Sequence, residues 1–303
     1  MTLNPVPAAA ATPTRECACT CGCRERMPCY STDMTDEEWA MLEPLLPVML
    51  CGTEIGGRPE LHWRRTMIDA MFYVDDNGCK WRNLPRDFPK WKTVHAMFSR
   101  WKEDGAWADV ADLLRARVRV AEGRDPEPSA GIIDSQSVHE SAEGVVPSAT
   151  SGFDSWKKVN GRKRHLLVDT LGLLIAVVVS AASVQDRDGA VVLLRRAVRR
   201  RRRRLARIWA DNGYHGEYRE WSRRELGITV DIVERPSAGR ERGFQVLPRR
   251  WVVERTNAWV SRRRRCARDY ERLPEHHAGM VEIAAIIQMT RRLARARAAT
   301  AAA

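Results

Sequence analysis

Gly131-Ile132-Ile133-Asp134-Ser135-Gln136-Ser137-Val138 is the stretch on which the reading of this chain turns. It has the composition of a β-strand, and a carboxylate interrupts its apolar run. A carboxylate buried without a partner is costly, so Asp134 needs a reason to be there. The pattern downstream supplies a context. Residues 164–170 and 173–180 are β-rich and meet around Leu171-Gly172, a hairpin signal. Residues 186–204 form a basic helical stretch, 206–210 a short strand ending at Asp211-Asn212-Gly213, 217–226 a helix, and 228–233 a strand. Helices over 248–266 and 275–297 follow. Residues 140–156 are polar and small, and read as loop. Three antiparallel strands followed by strands reached through helical crossovers predict an α/β unit, a mixed sheet with helices on both faces.

Upstream the pattern is helical. Thr35-Asp36-Glu37-Glu38 is a capping box, and Trp39, Leu42, Leu45 and Leu46 follow at helical spacing. Met67, Ala70, Met71 and Val74 line a second helix that Asn77-Gly78 stops. Trp81-Arg82-Asn83-Leu84-Pro85 is a turn with an aromatic anchor. Thr93 can cap a third helix that Gly105 ends, and 107–120 gives a fourth. The expected division is a disordered leader over 1–33, a small all-α unit over 34–122, a Pro/Gly linker over 123–130, the α/β unit over 131–297 and a tail over 298–303.

Composition narrows the function. Of the 303 residues 44% are apolar and 30% charged, as in globular proteins. Residues 1–129 carry 17 Lys/Arg and 20 Asp/Glu, whereas 130–303 carry 34 and 19. A basic excess confined to one half points to a polyanion, although an Arg-rich coding bias would also favour arginine over lysine. The nearly apolar run 171–184 is too short for a bilayer, so no membrane partner is expected. No signal peptide is evident, and a cytoplasmic, nucleoid-associated location is expected. Cys17, Cys19, Cys21, Cys23 and Cys29 lack the paired spacing of a structural zinc site and are read as incidental thiols.

Asp211 ends the fourth strand, where sites gather in open α/β sheets. Glu254 lies on a helix between the apolar groups 251–253 and 258–260. Taken singly, an Asp at a strand end is more often a turn residue, and a Glu in a basic helix is more often paired with Arg. Taken together, Asp134, Asp211 and Glu254 can converge from two strands and a helix, as candidate catalytic residues and as metal ligands. Hard cations such as Mg²⁺ and Mn²⁺ want such oxygen donors, and two of them can serve in-line phosphoryl displacement.

The order strand-Asp, hairpin, helix, strand-Asp, helix-Glu resembles the RNase H-like fold of DDE transposases and retroviral integrases. The words Ile133-Asp134-Ser135-Gln136-Ser137-Val138, Gly161-Arg162-Lys163-Arg164-His165-Leu166-Leu167-Val168-Asp169-Thr170, Ala210-Asp211-Asn212-Gly213-Tyr214 and Trp251-Val252-Val253-Glu254-Arg255-Thr256 resemble IS5-type insertion-sequence transposases of the IS4 group. Trp81 to Pro85, Trp91 and the 98–101 helix resemble that family's N-terminal helical domain. The resemblance spans about residues 34–290. It implies an RNase H-like catalytic domain preceded by a helix-turn-helix-like unit. It also implies movement of a DNA element by hydrolysis and strand transfer, with Mg²⁺ as cofactor and Mn²⁺ able to substitute. The partners implied are double-stranded DNA, both terminal inverted repeats and target, and further copies of the chain in a synaptic complex. Around the catalytic Glu the IS4 group carries a Tyr seven before, an Arg four before and a Lys seven after. Here Leu247, Arg250 and Ser261 hold those positions, with Arg262 one beyond the last.

Basic residues divide into candidates for DNA contact. Lys157, Lys158, Arg162, Lys163 and Arg164 approach the second strand and can hold phosphates near the cut, or else form a solvated hairpin. Arg250 and Arg262 accompany Glu254. Residues 199–204 are all Arg and read as a solvated, non-specific face. Lys90, Lys92, Arg100 and Lys102 can give the helical unit a basic side. His165 has no nucleophile partner. Asp186 and Asp188 open a helix and read as caps, with a fourth metal ligand as the lesser reading. The expected function is metal-dependent cleavage and strand transfer at insertion-sequence ends. Its rivals are a catalytically silent DNA-binding regulator and a nuclease without joining activity.

Overall fold

The computed structural model describes residues 26–48, 60–140, 145–199, 204–233 and 249–301. Of the sequence readings, Cys17 to Cys23, Leu247, most of the leader, and 200–203 of the arginine run lie outside them.

Helix α1 (Asp36–Leu42) starts on the expected capping box. The Thr35 side chain accepts from the Glu38 N–H, and Glu38 returns a bond to the Thr35 N–H. Helix α2 (Arg64–Asn77) ends on Gly78, whose φ of 66° supplies the left-handed cap. Helices α3 (Trp91–Glu103) and α4 (Ala106–Ala121) follow, separated by Asp104 and Gly105. Helix α3 begins at Trp91 rather than on a Thr93 cap. The described residues before Thr35 also make long-range contacts. Arg26 pairs with Asp33 and Asp87 at 2.9 Å and stacks on Phe88, while the Tyr30 hydroxyl donates to Asp87 at 3.0 Å. The two contacts with Asp87 span 57 and 61 residues in sequence, and no local pattern announces them.

The sheet combines β1 (Ala130–His139), β2 (Gly152–Asp154), β3 (Val159–Asp169), β4 (Leu174–Ala181), β5 (Arg207–Ala210) and β6 (Thr229–Ile232). β1 pairs antiparallel with β3, and β3 pairs antiparallel with β4 and, at its start, with β2. β5 joins β1 in parallel, and β6 joins β5 in parallel. The hairpin between β3 and β4 turns at Gly172, φ 82°. Asp169 holds it by accepting the N–H groups of Leu171 and Leu173, both at 2.9 Å, and pairs with Arg119 of α4 at 2.6 Å.

Strand alternation sorts the sheet's side chains into two cores. Ile133, Leu167, Ile208 and Ala210 pack against α5 (Asp186–Arg199) and α6 (Glu217–Leu226). Ile132, Leu166, Val168 and Trp209 face α7 (Arg250–Ser261) and α9 (Pro274–Ala301). The expected single helix over 248–266 is broken: α7 stops at Ser261, and α8 (Arg264–Ala267) follows. The central turns of α9 are apolar on every side, and such a helix is buried. Its Val281, Ile283, Ile286 and Ile287 share one core with Phe98, Trp107 and Leu114 of the N-terminal helices.

Candidate active site

The parallel pairing of β1 and β5 puts Ile132 beside Trp209. Two residues further along each strand stand Asp134 and Asp211. The same register carries them to the same end of the sheet, on one face, just past the last bonded pair. Asp211 lies where β5 stops, and its carboxylate accepts from the Gly213 N–H at 2.9 Å, which closes the turn. Opposite them α7 presents three polar groups on one face. Arg250 and Glu254 are one helical turn apart, and Asn257 is three residues on. The Asn257 amide donates to Asp134 Oδ2 at 2.8 Å. The Arg250 guanidinium lies 3.5 Å from Asp211 Oδ2 and 3.5 Å from Glu254 Oε1. The three predicted carboxylates therefore belong to one constellation, linked by Asn257 and Arg250.

Its electrostatics are strained. Burial, with Asp211 adding repulsion, raises Asp134 to about 6, against the pull of Arg250 and Lys157. The donor set is all oxygen and two of its carboxylates repel each other, which suits a hard divalent cation. Among the described residues no three such groups stand close enough to enclose one ion by themselves; the Arg250 cation sits between Asp211 and Glu254.

An open cleft of about 1070 Å³ runs from Asp134 and Asp211 past Asp186, Lys163 and Asp154 to Phe153 and Trp156. Trp156 is 91% exposed, on the turn between β2 and β3 beside Lys157 and Lys158. The Lys157 ammonium reaches the Ser135 carbonyl at 3.1 Å. Lys158 is exposed in the same turn, with a φ of 56°.

The other basic candidates on β3 need correction. Arg162 is fully buried, pairs with Asp269 at 2.9 Å and donates to the carbonyls of Glu271 and Arg272. Arg164 is 1% exposed and donates to the Cys266 carbonyl at 2.8 Å and to Gln136. Lys163 is buried, with its ammonium 2.8 Å from both Asp186 and the Val184 carbonyl. Arg162 and Arg164 lie inside the protein because β3 is covered on both faces, so they do not present a DNA surface, whereas Lys163 stands little exposed on the wall of the cleft with its charge held by Asp186. Arg262 is exposed at the end of α7, as a DNA contact requires. Lys102 is also withdrawn, since it pairs with the buried Glu282 at 2.7 Å. His165 is buried, held near 4 by burial, with Nε2 2.9 Å from the Ser180 hydroxyl.

Asn257 was missed in the sequence. Asn is a poor helix former. One in mid-helix, on Glu254's face, was the available signal. Asp186 is not a cap: Asp188 and Gly189 direct their N–H groups to the Gln185 carbonyl, and the Asp186 carboxylate goes to Lys163.

A mixed sheet that ends in two in-register aspartates, faced by a helix-borne glutamate, defines a carboxylate-centred α/β domain. The family model described as "Transposase DDE domain" matches residues 125–289, and the chain belongs to that family. A second model, "Putative transposase of IS4/5 family", matches residues 34–111 and places the chain in the IS4/5 group. The chain is 30% identical over 129 residues to the "Putative transposase for insertion sequence element IS402" of Burkholderia cepacia, covering 41% of this chain and 60% of that protein. It is also 30% identical over 106 residues to the "Insertion element IS402 uncharacterized 16.2 kDa protein" of the same organism, 34% of this chain and 70% of that one. The chain thus spans about 60% of the length of the first relative. Among the described residues no helix is long and apolar enough to cross a membrane.

Proposed function

We propose that this protein is a DNA transposase that cleaves and joins DNA strands at the ends of an insertion sequence, with Asp134, Asp211 and Glu254 as its catalytic carboxylates. The observation that carries the reading is the register of β1 and β5, which brings two aspartates side by side under the helix that bears Glu254. The strand order β4-β3-β1-β5-β6, antiparallel first and parallel after, supports an RNase H-like description. Residues 34–122 are proposed to serve DNA binding or assembly, with Lys90 just before α3 and Lys92 and Arg100 on it all exposed, and residues 131–297 to serve catalysis. Copies of the chain would pair in the synaptic complex, in the cytoplasm at the nucleoid.

Asp134, Asp211 and Glu254 would hold Mg²⁺ or Mn²⁺. When bound, such ions activate a water or 3′-hydroxyl and stabilise the leaving oxygen. The chain's own groups prepare the site. Asn257 fixes the orientation of Asp134, the Gly213 N–H fixes Asp211, and Arg250 offsets the charge of Asp211 and Glu254. Lys157, Lys158, Arg250 and Arg262 would meet phosphates.

The test uses labelled element ends, a target plasmid and Mg²⁺. Asp134→Asn, Asp211→Asn and Glu254→Gln should each abolish cleavage and joining while DNA affinity in gel shifts holds. Excess EDTA should stop the wild-type reaction. Near-normal cleavage by Glu254→Gln would remove Glu254 from the set, leaving Glu234 and Glu241, outside the described residues, as the next candidates. Cutting without joining would mark a nuclease, and binding alone a regulator.

A further inference from the structure

The catalytic cleft is poor in free positive charge. Asp134, Asp154, Asp186 and Asp211 line it, against Lys157, Lys163 and Arg250. Its own carboxylates take two of these cations: Lys163 lies 2.8 Å from Asp186, and Arg250 lies 3.5 Å from Asp211. With Arg162 and Arg164 buried, the cleft offers little to a duplex that carries one negative charge for about every 1.7 Å of its axis. The hold on that duplex has to come from another surface.

Helix α7 leads to one. Beyond Glu254 it carries Trp259 and stops at Ser261, and Arg262 and Arg263 follow before α8. The second half of α9 runs beside them, with Gln288, Arg291 and Arg295 at helical spacing. These six residues line a groove of about 470 Å³ between the two helices. Asp76 is the acid on its wall, and Arg263 already takes it at 2.6 Å. Arg262 and Arg295 are exposed and have no ion-pair partner among the described residues. Arg291 is held loosely, 3.5 Å from Glu38 and 3.3 Å from the Ser31 carbonyl. The α7 wall is stiff. Arg255 stacks between Trp251 and Trp259, 4.5 Å from each ring, and donates to the Leu171 carbonyl at 3.0 Å. Unspent guanidinium forks along a firm groove suit phosphate.

We propose that this groove grips the phosphate backbone of the duplex under cleavage, the element end, through Arg262, Arg291 and Arg295. The inference rests on the transposase reading given above and says where that reading's DNA is held. Eight helical residues separate Arg262 from Glu254, a rise of about 12 Å. That is the length of about three to four base pairs, so the grip lies that far or farther from the scissile phosphate. Groove and Glu254 belong to one helix of one chain. The duplex whose strand lies against Glu254 is therefore the one that reaches the groove, whereas a target duplex enters only after the cut.

The test is gel-shift titration of the full chain on a labelled element-end duplex at several salt concentrations, with melting curves to confirm folding. Arg291→Gln with Arg295→Gln should lower the log–log salt slope by about 1.8, two contacts at about 0.9 each. For purely electrostatic contacts that is about 30-fold weaker binding at about 0.15 M salt. Arg295→Gln alone, at an exposed side chain, should lose about 0.9, which covers a double variant that fails to fold. Arg291→Lys with Arg295→Lys should hold the slope. Arg223→Gln with Arg224→Gln removes the same charge from exposed residues of α6 and should leave the slope unchanged. Phosphate-ethylation interference locates the contact. The Gln pair should erase interference at phosphates about three or more base pairs from the cut and keep it beside the cut. An unchanged slope in the folded Gln variants would overturn the proposal. So would an equal loss in the α6 pair, since net charge alone would then act. Normal end binding with joining to a target plasmid lost would overturn it in favour of target DNA. A sedimentation coefficient changed by the Gln pair without DNA would overturn it in favour of an acidic face on a second copy. Asp134→Asn keeps the two readings apart. If it abolishes cleavage while the Gln pair binds normally, only the groove fails. If Asp134→Asn cleaves like wild type, the carboxylate reading fails instead.

Discussion

Asp69 illustrates how one buried acid couples this fold to pH. Its carboxylate accepts the Met34 N–H at 3.0 Å and fastens the segment before α1 to α2. Burial raises it to about 7, against the Met34 bond and the charge of Arg65. The sign follows from linkage. A folded-state value above the unfolded one means that the group's contribution is fully present below about pH 4 and is lost as pH rises through about 7. Asp69→Asn keeps an acceptor for Met34 and removes the charge. It should be more stable than wild type at pH 8, by up to about 4 kcal/mol, with the gap closing toward pH 4. Melting curves across that range check it, and a gap independent of pH would sink the argument. Arginines differ in the same way by surroundings. Arg162→Ala should cost roughly 3–5 kcal/mol, because Asp269 is left charged and buried. Exposed Arg262→Ala should leave stability alone and lower the log–log salt slope of DNA binding by about 0.9. A run such as Arg162-Lys163-Arg164 reads as a surface in sequence. Its burial depends on Asp269, Asp186 and the Cys266 carbonyl, partners up to 107 residues away.

At the scale of elements, legibility follows how local the determinant is. Helix α6 ends on Gly227 at φ 68°, and α2 on Gly78; both stops are written in one residue, Gly78 was read as one, and the helix before Gly227 was expected to end at 226. The hairpin at Gly172 is of the same kind. Strand β2, three residues long, exists only because it pairs with the start of β3, so a loop-like composition concealed it. The break after Ser261 is equally non-local. Arg263 turns back to Asp76 at 2.6 Å and Arg265 donates to the Cys79 carbonyl at 3.0 Å, and these contacts anchor the segment after α7. The convergence of Asp134, Asp211 and Glu254 from two strand ends and a covering helix was legible because each interrupts an apolar pattern. The Lys163 partner of Asp186 was not, because an acid at a helix start has an ordinary explanation as a cap. The packing of α5 gives the sharpest element-level test. Gly189 faces β3, and a β-carbon there would overlap the His165 ring. Helix propensity alone would make Gly189→Ala stabilising by about 1 kcal/mol. The overlap should reverse this, costing about 1–3 kcal/mol and pushing α5 off the sheet. His165→Ala in the Gly189→Ala background should recover part of the loss in chemical denaturation. Additive losses would mean that the two residues do not meet.

The whole molecule raises the question of how many units unfold. The element types change near residue 122, yet the core does not divide there. Leu114 and Val118 of α4, Phe98 and Trp101 of α3 and the apolar turns of α9 belong to one cluster that continues to Leu166 and Val168 in the sheet. One of its charged crossings, Lys102 to Glu282, is itself buried at 2.7 Å. Helix α9, near the end of the chain, is therefore covered by helices made at its start. A chain lacking residues 26–122 would expose the apolar side chains of α9 to water, at about 25 cal/mol for each Å² uncovered. That loss is large against a typical total stability of about 5–15 kcal/mol. Calorimetry of the full chain should give one transition, with the calorimetric and van't Hoff enthalpies agreeing. Lys102→Met should lower that single transition by about 3–5 kcal/mol, because Glu282 is left without its partner. Lys102→Met with Glu282→Leu should restore most of it. Two resolved transitions, with only the first moved by Lys102→Met, would show that the N-terminal helices fold as a separate body. A single transition would instead mean that a partner gripping α3 is mechanically joined, through α9 and the sheet, to the strand ends that carry Asp134 and Asp211.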